Sequence, residues 1–377
     1  MKKRIAILGA TGSIGRNTVD VVRANSDDFE VVALTANRDV DGLRTLASFF
    51  PHALLAVNEA EGDRDGMDFS GSEAIVRAVR ESDADIVVNG IAGAAGLLPS
   101  VAALESGADL ALANKETVVM AGPLILELAR SKGLKLLPVD SEHSAVFHLI
   151  EAHGKEAVEE IILTASGGPF RGWGAERLAT VRLEDALAHP TWKMGGKITI
   201  DSASLANKGL EVIEAVRLFD FPAEKVSVLV HPQSKVHSLV RLKDGSLYAQ
   251  ISNPDMRVPI HNALYWPACR PCSFGRLDLC GATLTFERPD LEAFTMLPLA
   301  YEAARRGGLY PTAYNAADEI AVAAFSSGRI GFPDIGTVTK SVLDDDWTRG
   351  ADSIQSILDG DLRARARAAH VILEDFA

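Results

Sequence analysis

Short apolar runs alternate with amphipathic stretches through roughly the first third of the chain. Runs rich in β-branched and aliphatic residues predict strands over 4–8, 30–36, 85–89, 109–113 and 134–139. Apolar residues at helical spacing over 14–25 predict a helix directly after the first strand. Because strands alternate with helices, we expect a parallel sheet with crossover helices. The stretch 58–72 is acidic and rich in glycine, which indicates an exposed loop.

The remainder of the chain has two further patterns. Strand-like runs are predicted over 161–164, 197–200, 226–230, 238–241 and 247–251, with one strongly helical segment over 206–219. The loops between them are rich in Gly, Ser, His and Asn, which is typical of loops that carry a site. From about residue 291 the chain is rich in alanine, and helical periodicity over 296–305, 314–325 and 362–373 predicts a small helical domain.

Composition and charge exclude several classes of function. The 377 residues include 38 Lys+Arg and 51 Asp+Glu, which gives a net charge of −13. Nucleic-acid binding needs a basic face that releases counterions, so we predict no nucleic-acid partner. The segment 86–104 carries no charge, but Asn89, Gly90, Gly93 and Pro99 interrupt it. This pattern predicts a strand, a loop and a helix start, and we predict no membrane association.

The cysteines indicate a reducing compartment. Cys269, Cys272 and Cys280 are too few for a disulfide framework in a chain of this length. Cys269 and Cys272 have the CxxC spacing of zinc and redox sites, but the sequence has neither a second CxxC nor a nearby histidine pair to complete four zinc ligands. We therefore expect free thiols and a cytoplasmic protein.

A glycine-rich loop follows the first predicted strand and opens the first predicted helix. Its sequence is Gly9-Ala-Thr-Gly-Ser-Ile-Gly15, with GxxGxxG spacing. Such glycines let the backbone approach a pyrophosphate that binds at the helix N-terminus, although a glycine-rich turn without a ligand is the alternative. Arg38, at the end of the second strand, supplies a cation for a 2′-phosphate and so favours NADPH over NADH. The neighbouring Asp39 opposes that preference.

Two carboxylates follow the predicted strand that ends near residue 139. On extended backbone, Asp140 and Glu142 would face the same side and could share a cation. Carboxylate oxygens select hard ions such as Mg²⁺ or Mn²⁺. The alternative is a helix N-terminus that Ser141 or Asp140 caps, with Glu142 placed favourably in the helix dipole.

Three further segments favour a substrate site. The strand over 161–164 leads into a small-residue loop with Ser166, which is suited to holding an anion. A predicted strand-to-helix segment over 201–211 brings Asn207, Lys208 and Glu211 to one helix face, where Lys208 can bind a phosphate and Glu211 adds a third carboxylate. A solvated Lys–Glu pair is the alternative. The segment 189–197, here called the lid segment, carries Trp192 between a proline and two glycines, which is typical of a hinged lid or of a tryptophan that anchors a loop.

Together these strings closely resemble the 1-deoxy-D-xylulose 5-phosphate reductoisomerase family. The matching pieces are GATGSIG at 9–15, LANKE at 112–116, LLPVDSEHSA at 136–145, SGGPFR at 166–171, HPTWKMGGKITIDSASLANKGLE at 189–211, HPQSKVHS at 231–238, PDMRVPI at 254–260 and NAADEIAVAAF at 315–325. They follow the family's order over nearly the whole chain, and the string at 189–211 is highly specific. The chain departs from the family's common Gly-Lys-Asn turn with Asn37-Arg38-Asp39.

The resemblance implies roles for individual residues. It implies that Asp140, Glu142 and Glu211 hold the divalent cation and act in catalysis together with Lys115. The implied substrate contacts are Lys115, Ser141, Glu142, Ser166, His189, Trp192, Met194, Ser202, Asn207, Lys208 and Glu211. The implied NADPH contacts are Thr11, Gly12, Ser13, Ile14, Asn37, Arg38, Asn114, Glu116, Gly195 and Met256. His143 and His237 match motif positions with supporting roles.

The resemblance also implies an α/β fold with a particular domain order. We expect an N-terminal Rossmann-like NADPH-binding domain over 1–139 and an α+β catalytic domain over 140–268 that carries the flexible lid. A linker over 269–290 and a C-terminal α-helical domain over 291–377 complete the expected arrangement. The family implies a cytoplasmic homodimer.

The implied activity is the isomerisation and reduction of 1-deoxy-D-xylulose 5-phosphate, a sugar phosphate, to 2-C-methyl-D-erythritol 4-phosphate in the non-mevalonate isoprenoid pathway. It would use NADPH and one divalent cation, Mn²⁺, Mg²⁺ or Co²⁺, and the retro-aldol and α-ketol routes need the same ligands. One alternative is an NADP-dependent two-domain dehydrogenase acting on another small substrate, which needs no three-carboxylate site. The other is a non-catalytic NADPH-sensing homologue, in which we would expect the carboxylates, Lys115 or Lys208 to be lost; all are present.

Overall fold

The computed structural model describes residues 1–59, 64–192 and 194–376. Contacts within the chain group it into two units, each assembled from separate stretches. Unit 1 comprises Met1–Thr117, Ile125–Ser144 and Asp255–Gly275, and unit 2 comprises Val118–Leu124, Ala145–Pro254 and Arg276–Ala377. The domain boundaries expected from the sequence stay a prediction.

Unit 1 is built on a parallel sheet of seven strands. They are β1 (Lys3–Leu8), β2 (Phe29–Ala36), β3 (Leu54–Val57), β4 (Phe69–Ser70), β5 (Ile86–Asn89), β6 (Asp109–Leu112) and β7 (Leu136–Pro138), in the spatial order β4-β3-β2-β1-β5-β6-β7. The chain runs outward from β1 in one direction through β2, β3 and β4, and then crosses to β5 on the other side of β1. The carboxyl end of β1 is therefore the switch point of the sheet, where open α/β sheets bind their ligands.

Unit 2 contains a smaller mixed sheet. Its strands are β8 (Val158–Ala165), β9 (Val226–Val230), β10 (Val236–Leu242) and β11 (Leu247–Ile251), in the order β11-β10-β8-β9. Strand β10 pairs antiparallel with β8 and β11, whereas β8 and β9 are parallel. The side chains of Ile161 and Leu163 in β8 are fully buried, so this strand lies in the core of the sheet.

Helices cover both sheets and form the C-terminal part of unit 2. They are α1 (Ser13–Ala24), α2 (Val40–Ala47), α3 (Ala74–Glu81), α4 (Leu97–Glu105), α5 (Lys115–Ser131), α6 (Ser141–His153), α7 (Ala175–Leu178), α8 (Leu183–Ala186), α9 (Gly196–Ser204), α10 (Ala206–Phe219), α11 (Arg257–Tyr265), α12 (Met296–Arg306), α13 (Tyr310–Ser326), α14 (Asp334–Leu343) and α15 (Ile354–Asp375). Helix α13 packs against α14, α15 and α9, and its alanines are buried there, which allows the backbones to approach closely. None of the helices in the described part of the chain combines the length and the apolar character that a membrane span needs.

The expected fold class is confirmed, since a parallel α/β sheet, a second sheet and C-terminal helices are all present. The strand predicted over 197–200 is wrong, because these residues belong to helix α9. The run Ile-Thr-Ile favours a strand locally, but Thr199, Ile200 and Ala203 are buried at helical spacing, and burial overrides the local preference. The predicted loop over 58–72 contains strand β4, and residues 60–63 of it lie outside the described residues.

Helix α5 contains a kink that an arginine of unit 2 stabilises. Pro123 lacks the N–H that would bond to the carbonyl of Val119, and Ala121 has non-helical dihedral angles. The guanidinium of Arg217 donates to the carbonyl oxygens of Val119 (2.6 Å) and Val118 (3.2 Å). Desolvation lowers the pKa of Arg217 to about 10, so the group stays charged at neutral pH. Arg217 thus takes the place of the hydrogen bond that proline removes.

Candidate active site

The loop between β1 and α1 brings its backbone close to neighbouring segments. Gly9 has φ +70°, and a Cβ there would lie 3.0 Å from the carbonyl oxygen of Gly90. A Cβ on Gly15 would lie 2.4 Å from the Cα of Ala10, so the helix can start only with glycine at that position. Gly12 is the N-cap residue and provides no side-chain cap. The first amides of α1 are therefore not capped by a side chain, which suits a bound pyrophosphate.

The predicted NADPH residues of unit 1 lie at the ends of the sheet strands or beside them. Thr11, Ser13 and Ile14 belong to the loop and first turn of α1, and Asn37 and Arg38 follow β2. Asn114 and Glu116 are at the start of α5 after β6, and Met256 directly precedes α11. Gly195 belongs to unit 2, where it is the N-cap residue of α9.

In the turn after β2, the side chains of Arg38 and Asp39 contact different partners. The Asp39 carboxylate accepts a hydrogen bond from the Gly42 amide (2.9 Å) and caps helix α2. Arg38 forms an exposed ion pair with Glu59. The Asp39 carboxylate therefore caps helix α2, which removes the main objection to an NADPH preference, and the role of Arg38 toward a 2′-phosphate stays a prediction.

Asn114 ties the start of α5 to the loop after β5. Its Oδ1 accepts from the Thr117 amide (3.1 Å), which caps the helix, and its Nδ2 donates to the carbonyl oxygens of Ile91 and Gly93, both at 2.9 Å. Nδ2 also donates to the Glu116 carboxylate (2.7 Å). The hydrogen bonds of the Asn114 side chain therefore fix the loop after β5 against the start of α5.

Lys115, Asp140 and His143 meet within unit 1. The Lys115 Nζ lies 3.0 Å from Asp140 Oδ2, and His143 Nδ1 lies 3.1 Å from Asp140 Oδ1. The side chains of Lys115 and Asp140 are 8% and 13% exposed, and that of His143 is fully buried. Burial strengthens such contacts because the surroundings screen charge weakly. The i,i+3 spacing of Asp140 and His143 was the one signal in the sequence that could have revealed this contact.

The extended backbone predicted for Asp140 and Glu142 is wrong. Helix α6 starts at Ser141, so Asp140 immediately precedes the helix and Glu142 lies in its first turn. The Glu142 amide donates to Asp140 Oδ1 (3.2 Å), and the Ser141 hydroxyl donates to Glu142 Oε2 (2.6 Å). The helix-start alternative therefore describes the geometry, and both carboxylates also benefit from the positive end of the helix dipole.

Ser166, His189 and Ser202 come together in unit 2. The Nε2 of His189 lies 3.0 Å from the Ser166 hydroxyl and 3.1 Å from the Ser202 hydroxyl. Ser166 follows β8, Ser202 lies in the last turn of α9, and His189 begins the lid segment. Gly168, with φ +63°, lets the loop after β8 approach the carbonyl of Ser202, where a Cβ would be only 2.8 Å away. Three separate segments thus place polar groups around one point.

The hydrogen bonds of Nδ1, the other ring nitrogen of His189, determine which nitrogen carries the proton in the neutral ring. Nδ1 accepts hydrogen bonds from the backbone amides of Thr191 (3.1 Å) and Trp192 (2.9 Å). An acceptor nitrogen carries no proton, so the neutral ring must carry its proton on Nε2, the atom that faces the serines. Desolvation lowers the pKa of His189, which favours this neutral form.

Asn207, Lys208 and Glu211 share a face of α10, as expected. The Glu211 carboxylate accepts from Asn207 Nδ2 (2.6 Å) and forms an ion pair with Lys208. The side chains of Lys208 and Glu211 are buried, so this pair is not the solvated alternative. Trp192 and Met194 of the lid segment are both partly buried, and Lys193 between them lies outside the described residues. The flexible lid stays a prediction.

Three family models match the chain. The 1-deoxy-D-xylulose 5-phosphate reductoisomerase model matches residues 5–122, the model of the C-terminal domain of that enzyme matches 136–219, and the DXP reductoisomerase C-terminal domain model matches 251–367. The 1-deoxy-D-xylulose 5-phosphate reductoisomerase of Treponema denticola is 49% identical over 374 residues, covering 99% of this chain and 98% of the relative.

Solved structures give the same result. The 1-deoxy-D-xylulose 5-phosphate reductoisomerase from Zymomonas mobilis in complex with NADPH has a TM-score of 0.89 and 41% identity, covering 99% of this chain and 100% of that chain. A DOX-P reductoisomerase in complex with NADPH, fosmidomycin and magnesium has a TM-score of 0.91 and 36% identity, with full coverage of both chains.

The geometry after β2 predicts which residue sets the nucleotide preference. Asp39→Asn keeps a capping side chain on α2, so we expect the preference for NADPH over NADH to change by less than about twofold. Arg38→Met removes a charge-assisted contact and should raise the KM for NADPH by roughly tenfold, with little change in the KM for NADH. Steady-state kinetics with both nucleotides measure this. A larger change in preference for Asp39→Asn than for Arg38→Met would contradict the assignment.

The contacts of His189 predict a neutral Nε2–H ring at pH 7 and a pKa below its ordinary value of 6.5. Because the folded-state pKa is depressed, the stability that the neutral ring contributes is present above pH 6.5 and is lost as the pH falls through the lowered pKa. Imidazole ¹⁵N NMR spectra across this pH range report tautomer and pKa, and His189→Asn identifies the signal. A proton on Nδ1, or a titration midpoint above 6.5, would refute the prediction.

Proposed function

The chain belongs to the 1-deoxy-D-xylulose 5-phosphate reductoisomerase family, and from that premise we propose which residues carry out its reaction. The protein is an NADPH-dependent oxidoreductase that converts 1-deoxy-D-xylulose 5-phosphate to 2-C-methyl-D-erythritol 4-phosphate, a step of isoprenoid biosynthesis, with one divalent cation. The observation that carries the assignment of residues is the pairing of carboxylates with buried lysines in each unit, Asp140 with Lys115 and Glu211 with Lys208.

Asp140, Glu142 and Glu211 hold the divalent cation in this proposal. Their carboxylate oxygens are the donor set that hard cations such as Mg²⁺ and Mn²⁺ prefer, so the residues fit the ion. When bound, the cation supplies Lewis acidity to the ketone and to the neighbouring hydroxyl of the substrate. His143, which contacts Asp140 Oδ1, orients that carboxylate in the way that outer partners orient metal ligands.

The substrate phosphate binds to Ser166, His189, Ser202, Asn207 and Lys208. The Nε2–H of His189 and the two serine hydroxyls converge within hydrogen-bond distance of one another and can all donate to phosphate oxygens. Lys208 adds a positive charge, and Asn207 adds an amide donor from the same helix face. The neutral ring of His189 binds as a hydrogen-bond donor, and Lys208 is the cation of the group.

Lys115 and Ser141 act on the reacting oxygens. The Lys115 ammonium, already directed at Asp140, can stabilise negative charge that develops on a substrate oxygen, and the Ser141 hydroxyl can donate to a second oxygen. Trp192 and Met194 of the lid segment cover the substrate and exclude water. NADPH, bound at Thr11, Gly12, Ser13, Ile14, Asn37, Arg38, Asn114, Glu116, Gly195 and Met256, supplies the hydride for the final reduction. The retro-aldol and α-ketol routes use these residues in the same way.

The cytoplasm is the proposed compartment. Cys269, Cys272 and Cys280 are exposed and carry free thiols, which suits a reducing environment. Cell fractionation with an antibody against the chain would test this, and enrichment in a membrane or extracytoplasmic fraction would argue against it.

A homodimer is the proposed assembly, with strand β11 at its interface. In the described part of unit 2, β11 is an edge strand with β10 as its sheet neighbour. Leu247, Tyr248 and Ile251 are 49%, 42% and 37% exposed, and β11 contains no charged residue. An uncharged, apolar edge strand is a template for pairing with another chain unless it is protected. We propose that a second copy adds its own β11 antiparallel to the first, which closes a two-fold symmetric contact.

The reaction assay tests the function and the cation site together. Oxidation of NADPH by the purified protein should require both 1-deoxy-D-xylulose 5-phosphate and Mn²⁺ or Mg²⁺, and it should stop when a chelator is added. Glu211→Gln removes one ligand charge, so we expect metal-dependent turnover to fall by more than roughly 100-fold while NADPH still binds. The exposed Glu176 on α7 provides the control, since Glu176→Gln should leave turnover unchanged.

Unchanged turnover in Glu211→Gln would contradict the assignment of the cation ligands. Binding of NADPH without any oxidation by the wild-type protein would contradict the reaction itself, and would reopen the alternatives of another dehydrogenase or an NADPH sensor.

The proposed dimer predicts a change of mass when charges are placed on β11. The wild-type protein should sediment as two chains, whereas Leu247→Lys combined with Ile251→Lys should sediment as one, because two like-charged edges repel each other. Leu373→Lys on α15, where the leucine is 66% exposed, is the matched control and should remain dimeric. A wild-type monomer would rule out the homodimer, and a dimeric β11 variant would place the interface elsewhere.

A further inference from the structure

A buried charge cluster joins the helix that carries Ser202 to the C-terminal helices of unit 2. The Nζ of Lys197 lies 2.7 Å from Asp201 Oδ2 and 2.8 Å from Asp318 Oδ2. Lys197 and Asp201 are one turn apart on α9, whereas Asp318 lies in the middle of α13. The two aspartate side chains are 1% and 0% exposed, so the contact is inside the protein. We refer to Lys197, Asp201 and Asp318 as the α9 cluster.

We propose that the α9 cluster positions the phosphate subsite by fixing helix α9 against α13. The inference rests on the proposed function, because Ser202 is one of the proposed phosphate residues. Asp201 directly precedes Ser202, so a displacement of the Asp201 backbone moves the serine hydroxyl with it. Lys197 is both the last residue of the lid segment and the second residue of α9. The same helix therefore connects the end of the lid segment to the phosphate-binding hydroxyl.

The charge balance of the α9 cluster explains why it can act as a fixed anchor. One ammonium faces two carboxyl groups, and two ionised carboxylates would leave an uncompensated negative charge in the interior, which is costly. The neutral arrangement is thus one ammonium, one carboxylate and one carboxylic acid. Burial raises the pKa of Asp318, in agreement with this arrangement.

Other charged and titratable groups around Asp318 have partners of their own. Glu319, the next residue on α13, pairs with Arg365 of α15, and Arg365 also pairs with Asp361. The Tyr314 hydroxyl, one turn before Asp318, donates to the carbonyl oxygen of Met296. Lys197 is therefore the cation that approaches Asp318 among these groups, and its loss affects Asp201 and Asp318 together.

Two roles of Lys197, holding helix α9 and contacting the phosphate directly, can be distinguished by experiment. If Lys197 holds α9 by balancing the carboxyl groups, its removal can be compensated by removing one carboxyl charge. If Lys197 instead contacts the phosphate directly, the loss of its charge cannot be compensated from Asp318. Asp318→Asn keeps the size and hydrogen-bonding ability of the side chain, which makes it the suitable partner substitution.

Steady-state kinetics of Lys197→Met, Asp318→Asn and the double variant test the proposal. Lys197→Met should raise the KM for 1-deoxy-D-xylulose 5-phosphate by at least about tenfold, with kcat and the KM for NADPH within about twofold of wild type, since a buried pair is broken away from the reacting atoms. Asp318→Asn should be within about threefold of wild type, and the double variant should regain most of the lost affinity. Lys155→Met, which breaks an exposed pair with Asp220, is the control and should change nothing.

Several results would overturn the proposal. These are an unchanged substrate KM in Lys197→Met, a double variant as impaired as Lys197→Met, or an Asp318→Asn variant that binds substrate more tightly than wild type. If Lys197→Met does not fold, Lys197→Arg is measured instead, because its longer side chain keeps the charge but displaces the carboxyl groups; an unchanged substrate KM there also refutes the proposal. Wild-type turnover is measured first, and its absence would be a failure of the proposed function and not of the cluster.

Discussion

Three acidic side chains in this protein are paired with lysines, and the positions of the proposed site residues depend on these pairs. Asp140 pairs with Lys115, Glu211 with Lys208, and Asp201 with Lys197. A carboxylate that is buried without a partner costs several kcal/mol, so each pair restricts the positions that its helix can adopt. Lysine suits this task better than arginine where chemistry follows, because its compact ammonium can change partners without a planar fork that must be realigned. In the proposed function, Lys115 and Lys208 also interact with the anionic substrate, whereas Lys197 only positions helix α9.

Three helices of the chain, α1, α2 and α5, differ in how their first amides are capped. Asp39 is the N-cap residue of α2 and Asn114 that of α5, and in both cases the side chain accepts a hydrogen bond from a first-turn amide. The N-cap residue of α1 is Gly12, which has no side chain to accept one. A helix start without a side-chain cap and next to the switch point of a parallel sheet is suited to a phosphate group. Local amides and lysines can therefore attract anions even though the whole chain has a net charge of −13.

Much of the fold follows from local patterns, whereas the contacts of the site do not. The helix predicted over 206–219 and the strands predicted over 226–230 and 247–251 are confirmed. In 226–230 the buried residues alternate with the period of a strand. The segment 197–200 has a strand-like composition but forms a helix, in which Lys197 contacts Asp201 one turn away and Asp318 of α13. Residue type indicated Ser166, and the family resemblance implied His189 and Ser202, but only the fold brings their side chains together. Long-range contacts such as that between Lys197 and Asp318 leave no periodic signal in the sequence.

The ring of His189 connects the proposed phosphate residues with the backbone of the lid segment. One nitrogen of its ring accepts amide hydrogens from Thr191 and Trp192, and the other faces Ser166 and Ser202. In the proposed function, a phosphate that binds at Nε2 therefore also orders the backbone of the lid segment through Nδ1. The phosphate does not react, so the free energy of binding it is available to hold the lid over the carbon atoms that do. In this proposal, an interaction at the opposite end of the substrate would exclude water from the reacting centre, and the neutral ring of His189 would connect the two.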